Sequence, residues 1–527
     1  MFHFFCDDND DKSGRGRSRR LALMIRFSPN PNQANLIRWH EWGEEAFRKA
    51  REQDKPLMLF LTAFWCRYCQ RMDEEAFSDN ENIALLNAYF ISIRADDARR
   101  PDVNTRYNLN GWPTIAFMSP EGELLAATNY LPSDQFGDVL IRVYMSYHEK
   151  KDEIRSARKT SQEKSTETTS QEPRGQVDDA SVGQIANVIM DLADRVHGGY
   201  GRGQKFIHPE ANDFLLSRYE ATNDSTYLDH VRLTLDRMRE GAIHDREEEG
   251  YFRTTSGADW SHPHREKLLA EQAGLLANCL RVFRITKQTV YASMAEGIID
   301  YLDRKLSDNS RGIFYGCEDF LRVETTERSE REEFFTIIDK CIYTDANAQA
   351  IVAYLNAAAI LGKTSCQERA LKALEFLWEH CRSGNGGMFH CFDDAPRLEG
   401  MLNDQARMGT ALVGAHRKTG ESKYLEHAKE LAEFVLTKLE NAAGGYYDLP
   451  AQGTAYLNFR LTLIEQNGIA GLFFLALAEA TKEHRYREAT QWALSVFRGD
   501  FSSYGVHSAA FGQALGDWVK RYPDPSQ

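Results

Sequence analysis

An α/β domain followed by an all-α ring of six helical hairpins, an (α/α)6 toroid, is the architecture implied by three features of this 527-residue chain. Residues 25–148 alternate helix-like and strand-like hydrophobic patterns. Residues 149–180 contain little apolar material, so they bury too little surface to offset their ordering entropy and read as a linker. Residues 181–527 carry helical periodicity only, interrupted by a recurring glycine-aromatic turn. The length alone exceeds what one ordinary core serves. With 64 Lys and Arg against 78 Asp and Glu, the net charge of −14 argues against nucleic acid or an anionic membrane as partner. No apolar run approaches the roughly 18 residues of a membrane span. Residues 1–24 place acidic residues straight after a short greasy start; they read as a disordered extension lacking a secretory core, with Met24 as a second candidate start. The nine cysteines are odd in number and mostly isolated inside apolar helical patterns, which implies buried thiols in a reducing, cytoplasmic setting.

In chain order, residues 35–53 read as an amphipathic helix and KPLMLFLTAF (55–64) as a strand buried on both faces. Residues 68–88 read as a second helix, YFISIRAD as another buried strand, and TIAFMSPEGELLAATNY as a hairpin turned at Glu121–Gly122. Beyond the linker, twelve helical windows span 181–196, 209–221, 226–240, 266–285, 290–305, 344–361, 367–381, 402–418, 422–439, 462–481, 484–498 and 506–521. HGGYG, EGYF, GIFYG, NGGMF and AGGYY follow alternate windows, with a weaker YGVH last. Six pairs with a turn at one end suit a closed ring whose turns line one mouth; an open array with aromatics plugging its core is the alternative.

AFWCRYCQRM, residues 63–72, holds the chemistry of the first domain. A zinc site needs four ligands, and the next cysteine, Cys279, lies in another domain; neither metal nor cofactor is expected. Between a buried strand and a helix start, Cys66 would face unsatisfied N–H groups and the positive end of the helix dipole, with Arg67 beside it. Cys66 is thus the candidate attacking thiolate and Cys69 the resolving thiol. Pro113, directly before a strand in NLNGWPTIAF, occupies the place where thioredoxin-like folds hold a proline facing the cysteine pair. A pair of inert core thiols is the competing account. The buried Asp that protein-disulfide reductases carry six residues before the first cysteine is Phe60 here, which argues against fast general turnover.

These residues resemble the thioredoxin-domain proteins of the spermatogenesis-associated type, from about Arg38 to the C-terminus. WHEWGEEAFRKAREQDKP, CRYCQRMDEEAFSDNENIALLNAYFISIRADDARRPDV and GWPTIAFMSPEG carry the likeness in the first domain. GGYGRGQKF, PHREKLLAEQA and LNDQA carry it in the second. The resemblance implies a thioredoxin-like domain joined to a six-hairpin toroid of the glycosidase and sugar-epimerase kind. The family's His after the first cysteine and Trp before the second are Arg67 and Tyr68 here. Its Pro-His-Phe-Glu-Lys-Met-Leu-Tyr-Asp departs at Arg265, Ala270 and Glu271, its Trp-Asn-Gly reads Ala346-Asn347-Ala348, and its late Ser-Gly-Asn matches only at Asn467. Lys205 matches the family's Pro-Lys-Phe and reads as a salt bridge tying hairpins together.

Toroids of this kind bind sugars by aromatic stacking and by carboxylates and His on hydroxyls. The candidate ligand-binding residues are His264, Glu266, Asp245, Asp339, Asn347, Asp404, Tyr200 and Phe252, with Glu465 as a further carboxylate. A hydrolase would use two carboxylates and an epimerase a His base; a solvated helix face or cap is the competing account for each charge. The expectation is a thiol–disulfide oxidoreductase module, acting on a protein disulfide or small thiol, joined to a toroid that binds a saccharide-like ligand. A carbohydrate-active enzyme with a structural thioredoxin-like domain, and a non-catalytic scaffold or redox sensor, are the rivals.

Overall fold

Leu57–Thr62 (β2) has no exposed side chain, because both faces of the strand are covered. The computed structural model describes residues 26–165, 178–322, 334–451, 459–497, 499 and 501–523, in two units described separately below. In the first, β2 is the centre of a five-stranded sheet with Trp39–His40 (β1), Ile91–Asp96 (β3), Thr114–Met118 (β4) and Leu124–Thr128 (β5), in the order β1-β3-β2-β4-β5. β1, β3 and β2 run parallel, and β4 and β5 antiparallel to their neighbours. The helices are Glu44–Gln53 (α1), Arg67–Glu74 (α2), Asn80–Tyr89 (α3), Pro101–Tyr107 (α4) and Ser133–Ser165 (α5). Met58, Phe60, Ile115 and Phe117 face the buried sides of α2, α3 and α5. Leu57, Leu59 and Leu61 face Phe47 of α1 and Val103 of α4. The period-2 alternation of a strand thus feeds two apolar cores, one on each side.

Three sequence expectations shift here. The helix expected over 35–53 begins only at Glu44: Trp39 and His40 pair with Ser92 and Ile93 as an edge strand, and the indole of Trp39 donates to Ala34 C=O. Long-range pairing overrides local periodicity at that point. The helix expected over 68–88 is two, because the Asp79 carboxylate caps α3 by accepting from the N–H groups of Glu81 and Asn82. The 149–180 segment is helical as far as Ser165, its strong helix formers continuing α5. Asp54 accepts from Tyr147 Oη and Lys151 Nζ and so holds the start of that extension. The terminal extension 1–24 lies outside the described residues, and the hairpin turns at Gly122 as expected.

The second unit contains twelve helices among the described residues: Asp179–Leu192 (α6), Pro209–Thr222 (α7), Ser225–Glu240 (α8), Leu269–Thr286 (α9), Thr289–Arg304 (α10), Thr344–Leu361 (α11), Thr364–Cys381 (α12), Leu402–Thr419 (α13), Ser422–Lys438 (α14), Ile464–Thr481 (α15), His484–Leu494 (α16) and Ala509–Arg521 (α17). α7, α9, α11, α13, α15 and α17 pack in sequence, and α17 returns to α7. That is a closed inner ring. Each inner helix is backed by an outer one, and the sixth hairpin closes between the two ends of the unit, α17 against α6. Glycines let the inner helices approach: a Cβ on Gly274 would sit 2.5 Å from Pro209, on Gly409 2.3 Å from Phe473, and on Gly468 2.3 Å from the backbone N of Phe511.

Each glycine-aromatic turn is stitched to the inner helix that follows it. The fourth residue of α9, α11, α13 and α15 is an amide: Gln272, Asn347, Gln405 and Asn467. The Tyr251 N–H donates to Gln272 Oε1 (3.0 Å) and Gln272 Nε2 donates back to Tyr251 C=O (2.6 Å). Phe314 pairs with Asn347 at 2.9 and 3.0 Å, Met388 with Gln405 at 2.8 and 3.1 Å, and Tyr446 with Asn467 at 2.8 and 3.0 Å. A buried backbone segment that has left regular structure must find partners, and one side-chain amide supplies both a donor and an acceptor. The first turn differs: the Gly199 N–H donates to Thr234 Oγ1, and Asn212, fourth in α7, accepts from Tyr200 Oη.

Two substitutions test this packing. Gly468→Ala drives a methyl into the α17 backbone and is expected to destabilise the helical unit by about 1–3 kcal/mol. That holds despite the roughly 0.5–1 kcal/mol alanine gains in a helix interior. Asn347→Ala strands the N–H and C=O of Phe314 and is expected to cost about 2–6 kcal/mol, at about 1–3 per unsatisfied buried group. Chemical denaturation followed by far-UV circular dichroism measures both; an unchanged unfolding midpoint refutes either.

Candidate functional site

The first unit presents its cysteines at the start of α2. Cys66 is the N-cap, in extended backbone, and its Sγ accepts from the Cys69 N–H at 3.0 Å. Gln70 N–H donates to Cys66 C=O, closing the first turn. The two sulfurs are joined as a disulfide. Cys66 is 5% exposed and Cys69 2%, so both cysteines are buried, the second more completely. Around them Arg67 is exposed, Tyr68 is 55% exposed with its ring 5.3 Å from that of Tyr130, and the Trp65 ring meets Trp112 edge-on at 5.1 Å. The Trp112–Pro113 peptide is cis, and Pro113 C=O accepts from Asn129 Nδ2 at 3.0 Å.

Phe60, standing where reductases have a buried Asp, is fully buried against Phe77, and the Arg94 guanidinium lies 4.8 Å from its ring centroid. Arg94 in turn clasps Asp73 with two hydrogen bonds, 2.7 and 2.9 Å, both side chains out of solvent. Asp73 is on α2, one turn beyond Cys69. The buried charge behind the cysteine helix is therefore a neutralised pair.

In the toroid, the N-terminal ends of the inner helices form the mouth. α7, α9, α11, α13 and α15 lack side-chain N-caps, and each carries an acidic residue in its first turn: Glu210, Glu271, Asp345, Asp404 and Glu465. The helix dipoles favour negative charge there. Arg407 of α13 reaches Glu210 of α7 at 3.0 Å, and these helices stand opposite in the ring of six, so the bridge crosses its centre. Arg407 also donates to Asn403 Oδ1, and Asn403 to Asp345 Oδ2 at 2.8 Å. His390 Nδ1 lies 3.0 and 3.1 Å from the Asp404 oxygens, and His507 Nδ1 3.3 Å from Glu465. Glu465 is 41% exposed and His507 70%, so water enters here.

Charge states follow from these neighbours. Burial opposes ionisation of Glu465, yet the His507 hydrogen bond and the charges of His507, Arg407 and His208 hold its carboxyl below the usual range. The Glu465 hydrogen bond raises His507. Burial drops His208 to about 4 and lifts Asp404 to about 6, against the pull of His390. Burial, reinforced by Glu266 and Glu210 against Arg253, lifts Glu271 to about 8. Asp345, His390 and Asp404 form the one group of metal-ligating types found together among the described residues, their atoms within 4.8 Å. The Asp345 oxygens already accept from Ala346 N–H and Asn403, and Asp404 from His390, so the group is satisfied without an ion.

The sequence-predicted residues divide between mouth and framework. Asp404 is in the mouth, although buried on His390. Glu266 is buried in a 2.7 Å ion pair with Arg253, next to Glu271. His264 is exposed, its Nε2 3.1 Å from Ser256 Oγ. Asp245 anchors the buried Lys267 at 2.7 Å, just as Asp194 anchors Lys205 at 2.8 Å. Asp339 accepts from Tyr343 Oη, and Asn347 is spent on its turn. Tyr200 and Phe252 are buried, Tyr200 bonded to Asn212. Sequence reasoning missed Glu210, Arg407, His208, His390, Asp345 and His507. The signal was available for the acids: one in the second or third position of five inner helices. A further cavity of about 480 Å³ lies toward the other helix ends, lined by Ser217, Arg218, Arg281, Asn356 and Asp517. Arg281 is tied there to Asp213 and Glu220.

Residues 28–165 match the family model Thioredox_DsbH, "Protein of unknown function, DUF255". Human spermatogenesis-associated protein 20 is 30% identical over 307 residues, 54% of this chain and 39% of the relative. The chain thus spans about two fifths of that relative's length. An uncharacterized protein of Caenorhabditis elegans is 26% identical over 457 residues, covering 76% of this chain and 62% of the relative. Among solved structures, a D-mannose isomerase superimposes with a TM-score of 0.52 at 11% identity, over 65% of this chain and 97% of that one, a likeness of fold. The N-terminal unit is thus similar to the DsbH thioredoxin-like family over residues 28–165, and the helical unit that follows in sequence has a fold like those of a D-mannose isomerase and a sugar epimerase.

Proposed function

We propose that this protein is a thiol–disulfide oxidoreductase whose toroid binds a saccharide-like ligand at the mouth of its inner ring. The observation that carries the first half is the place of Cys66: its Sγ takes a backbone N–H at the positive end of α2, within bonding reach of Cys69. Both effects favour thiolate in the reduced protein. Cys66 attacks a disulfide of a partner protein or small thiol, and Cys69, covered behind it, resolves the mixed disulfide. Exposed Tyr68 and the Trp65–Trp112 pair offer an apolar platform beside Pro113 for an extended substrate strand. The neutralised Asp73–Arg94 pair and Phe60 leave Cys69 without a buried base, so resolution is slow. The buried thiols Cys279, Cys317, Cys341, Cys366, Cys381 and Cys391 fit a reducing, cytoplasmic location.

Saccharide binding is supported by the solvent-reached ring of carboxylates and by the sugar-isomerase fold; ionised carboxylates accept hydrogen bonds from hydroxyl groups. That ring also favours a second reading, a carbohydrate-active enzyme whose first domain is structural. Cys69→Ser should accumulate mixed disulfides on Cys66 in cell extract, seen as reductant-sensitive bands absent from Cys66→Ser. Sugar turnover that survives Cys66→Ser with no trapped species decides for the second reading. Reduced Cys66 should alkylate with a midpoint at least about one pH unit below the roughly 8.5 of free cysteine. A midpoint at the free value removes the chemical basis of the redox proposal.

A further inference from the structure

Five inner helices bring one carboxylate each to the mouth, and four of them have hydrogen-bonded partners: Glu210 on Arg407, Asp345 on Asn403, Asp404 on His390 and Glu465 on His507. Glu271 is the exception. Its Oε2 is buried and has no hydrogen-bond partner, while part of the side chain stays accessible. The neighbouring cation, Arg253, is committed to Glu266 at 2.7 Å. Ala270, exposed beside it, leaves open space where a larger side chain would stand. An unpartnered, desolvated oxygen is costly on an ionised carboxylate and far cheaper on a neutral acid, whose proton then sits on the other oxygen.

We propose that the Glu271 carboxyl is a hydrogen-bond donor of the mouth, giving its O–H to an oxygen of a neutral saccharide whose hydroxyls donate to the ionised Glu210 and Glu465. This rests on the reading of the mouth as a saccharide site and deepens it by naming the ligand class. Ionised Glu210 and Glu465 as acceptors beside a neutral acid as donor suit a hydroxyl-rich neutral molecule. Anionic sugars are disfavoured: Arg407 is already bridged to Glu210, His507 to Glu465 and Arg253 to Glu266, so a phosphate or uronate would meet carboxylates with their cations in use. The charged groups acting on Glu271 are Glu210 from α7 and Arg253 and Glu266 from the preceding segment; the adjacent α11 carries Asp345 in its first turn. With the carboxyl lifted to about 8 by burial, the donor is present below that pH and lost above it.

Calorimetric titration of the full chain with D-mannose, D-mannose 6-phosphate and D-mannuronate at about pH 7 and pH 9 tests the assignment. The protonated fraction of a group titrating near 8 falls about tenfold over that interval, so wild-type affinity for D-mannose should fall about tenfold. Glu271→Gln keeps a donor at every pH and should bind D-mannose equally at both. The two anionic sugars should bind at least about tenfold more weakly than D-mannose. Wild-type binding that ignores pH, or anionic sugars that bind as tightly as D-mannose, overturns this inference while leaving the saccharide site in place. Absence of heat with all three sugars overturns the saccharide reading and this inference together. If Glu271→Gln does not fold, the infrared carbonyl band of a neutral carboxylic acid in the wild-type chain decides: a band that disappears on raising the pH through about 8 supports the proposal, and its absence at pH 7 refutes it.

Discussion

The toroid depends on a single repeated hydrogen-bond arrangement, a side-chain amide in the fourth place of an inner helix gripping the backbone of the turn before it. Gln272, Asn347, Gln405 and Asn467 all do this with both ends of the amide. The requirement is general: a turn carried inward between helices loses water from its N–H and C=O, and something must replace it. An amide at a fixed helical position does so and also sets the phase of the helix. With the fourth residue turned outward to the turn, the second and third residues are left at the mouth. The carboxylates of Glu210, Glu271, Asp345, Asp404 and Glu465 stand at those two positions.

That arrangement also explains why the mouth is acidic. These helices begin at Pro209, Leu269, Thr344, Leu402 and Ile464 without side-chain caps, so their first N–H groups project a positive field into the opening. Carboxylates in the first turn answer that field at no cost to the packing behind them. Their mutual repulsion is relieved by partners drawn from distant parts of the chain: Arg407 from across the ring, His390 from the segment before α13, His507 from the turn before α17. Local dipoles therefore account for the acids, and long-range folding for their partners.

The boundary between those two causes is the boundary of what could be read in the amino-acid sequence. All twelve helices were legible, because apolar periodicity of 3.6 survives wherever one helix face is buried. So were the turns, since Gly250 and Gly312, at φ of 73° and 79°, occupy backbone that other residues rarely adopt. β1 was not, because two residues of an edge strand exist only through their pairing with β3. Within the turns, the residue that dives into the core is Tyr251, Phe314 or Tyr446, one before the residue chosen from the aromatic motif. Phe252 and Tyr447 instead meet cations, Lys267 at 5.1 Å and Arg460 at 3.9 Å. Asn347 looked like a ligand contact because an amide in a helix start has no local explanation; its partner is 33 residues away.

The first domain shows the same division in miniature. Strand, cysteine pair and helix are adjacent in sequence and were read from it, as was the proline directly before a later strand, whereas the treatment of buried charge was not. Phe60 occupies the place of a proton acceptor, and Arg94 from β3 stacks on it while neutralising Asp73. Removing one member of so buried a pair leaves an uncompensated charge and is expected to cost about 3–5 kcal/mol. The pair instead ties α2 to β3, and Asp73 also accepts from the Ser28 N–H. The cysteines sit at the other end of a short helix whose far end is fixed. What remains to set the ionisation of Cys66 is the backbone itself, through the Cys69 N–H and the dipole of eight residues. On the proposed oxidoreductase reading, such a site keeps a reactive first thiol and gives up rapid release of its partner, which suits holding a disulfide substrate better than turning many over.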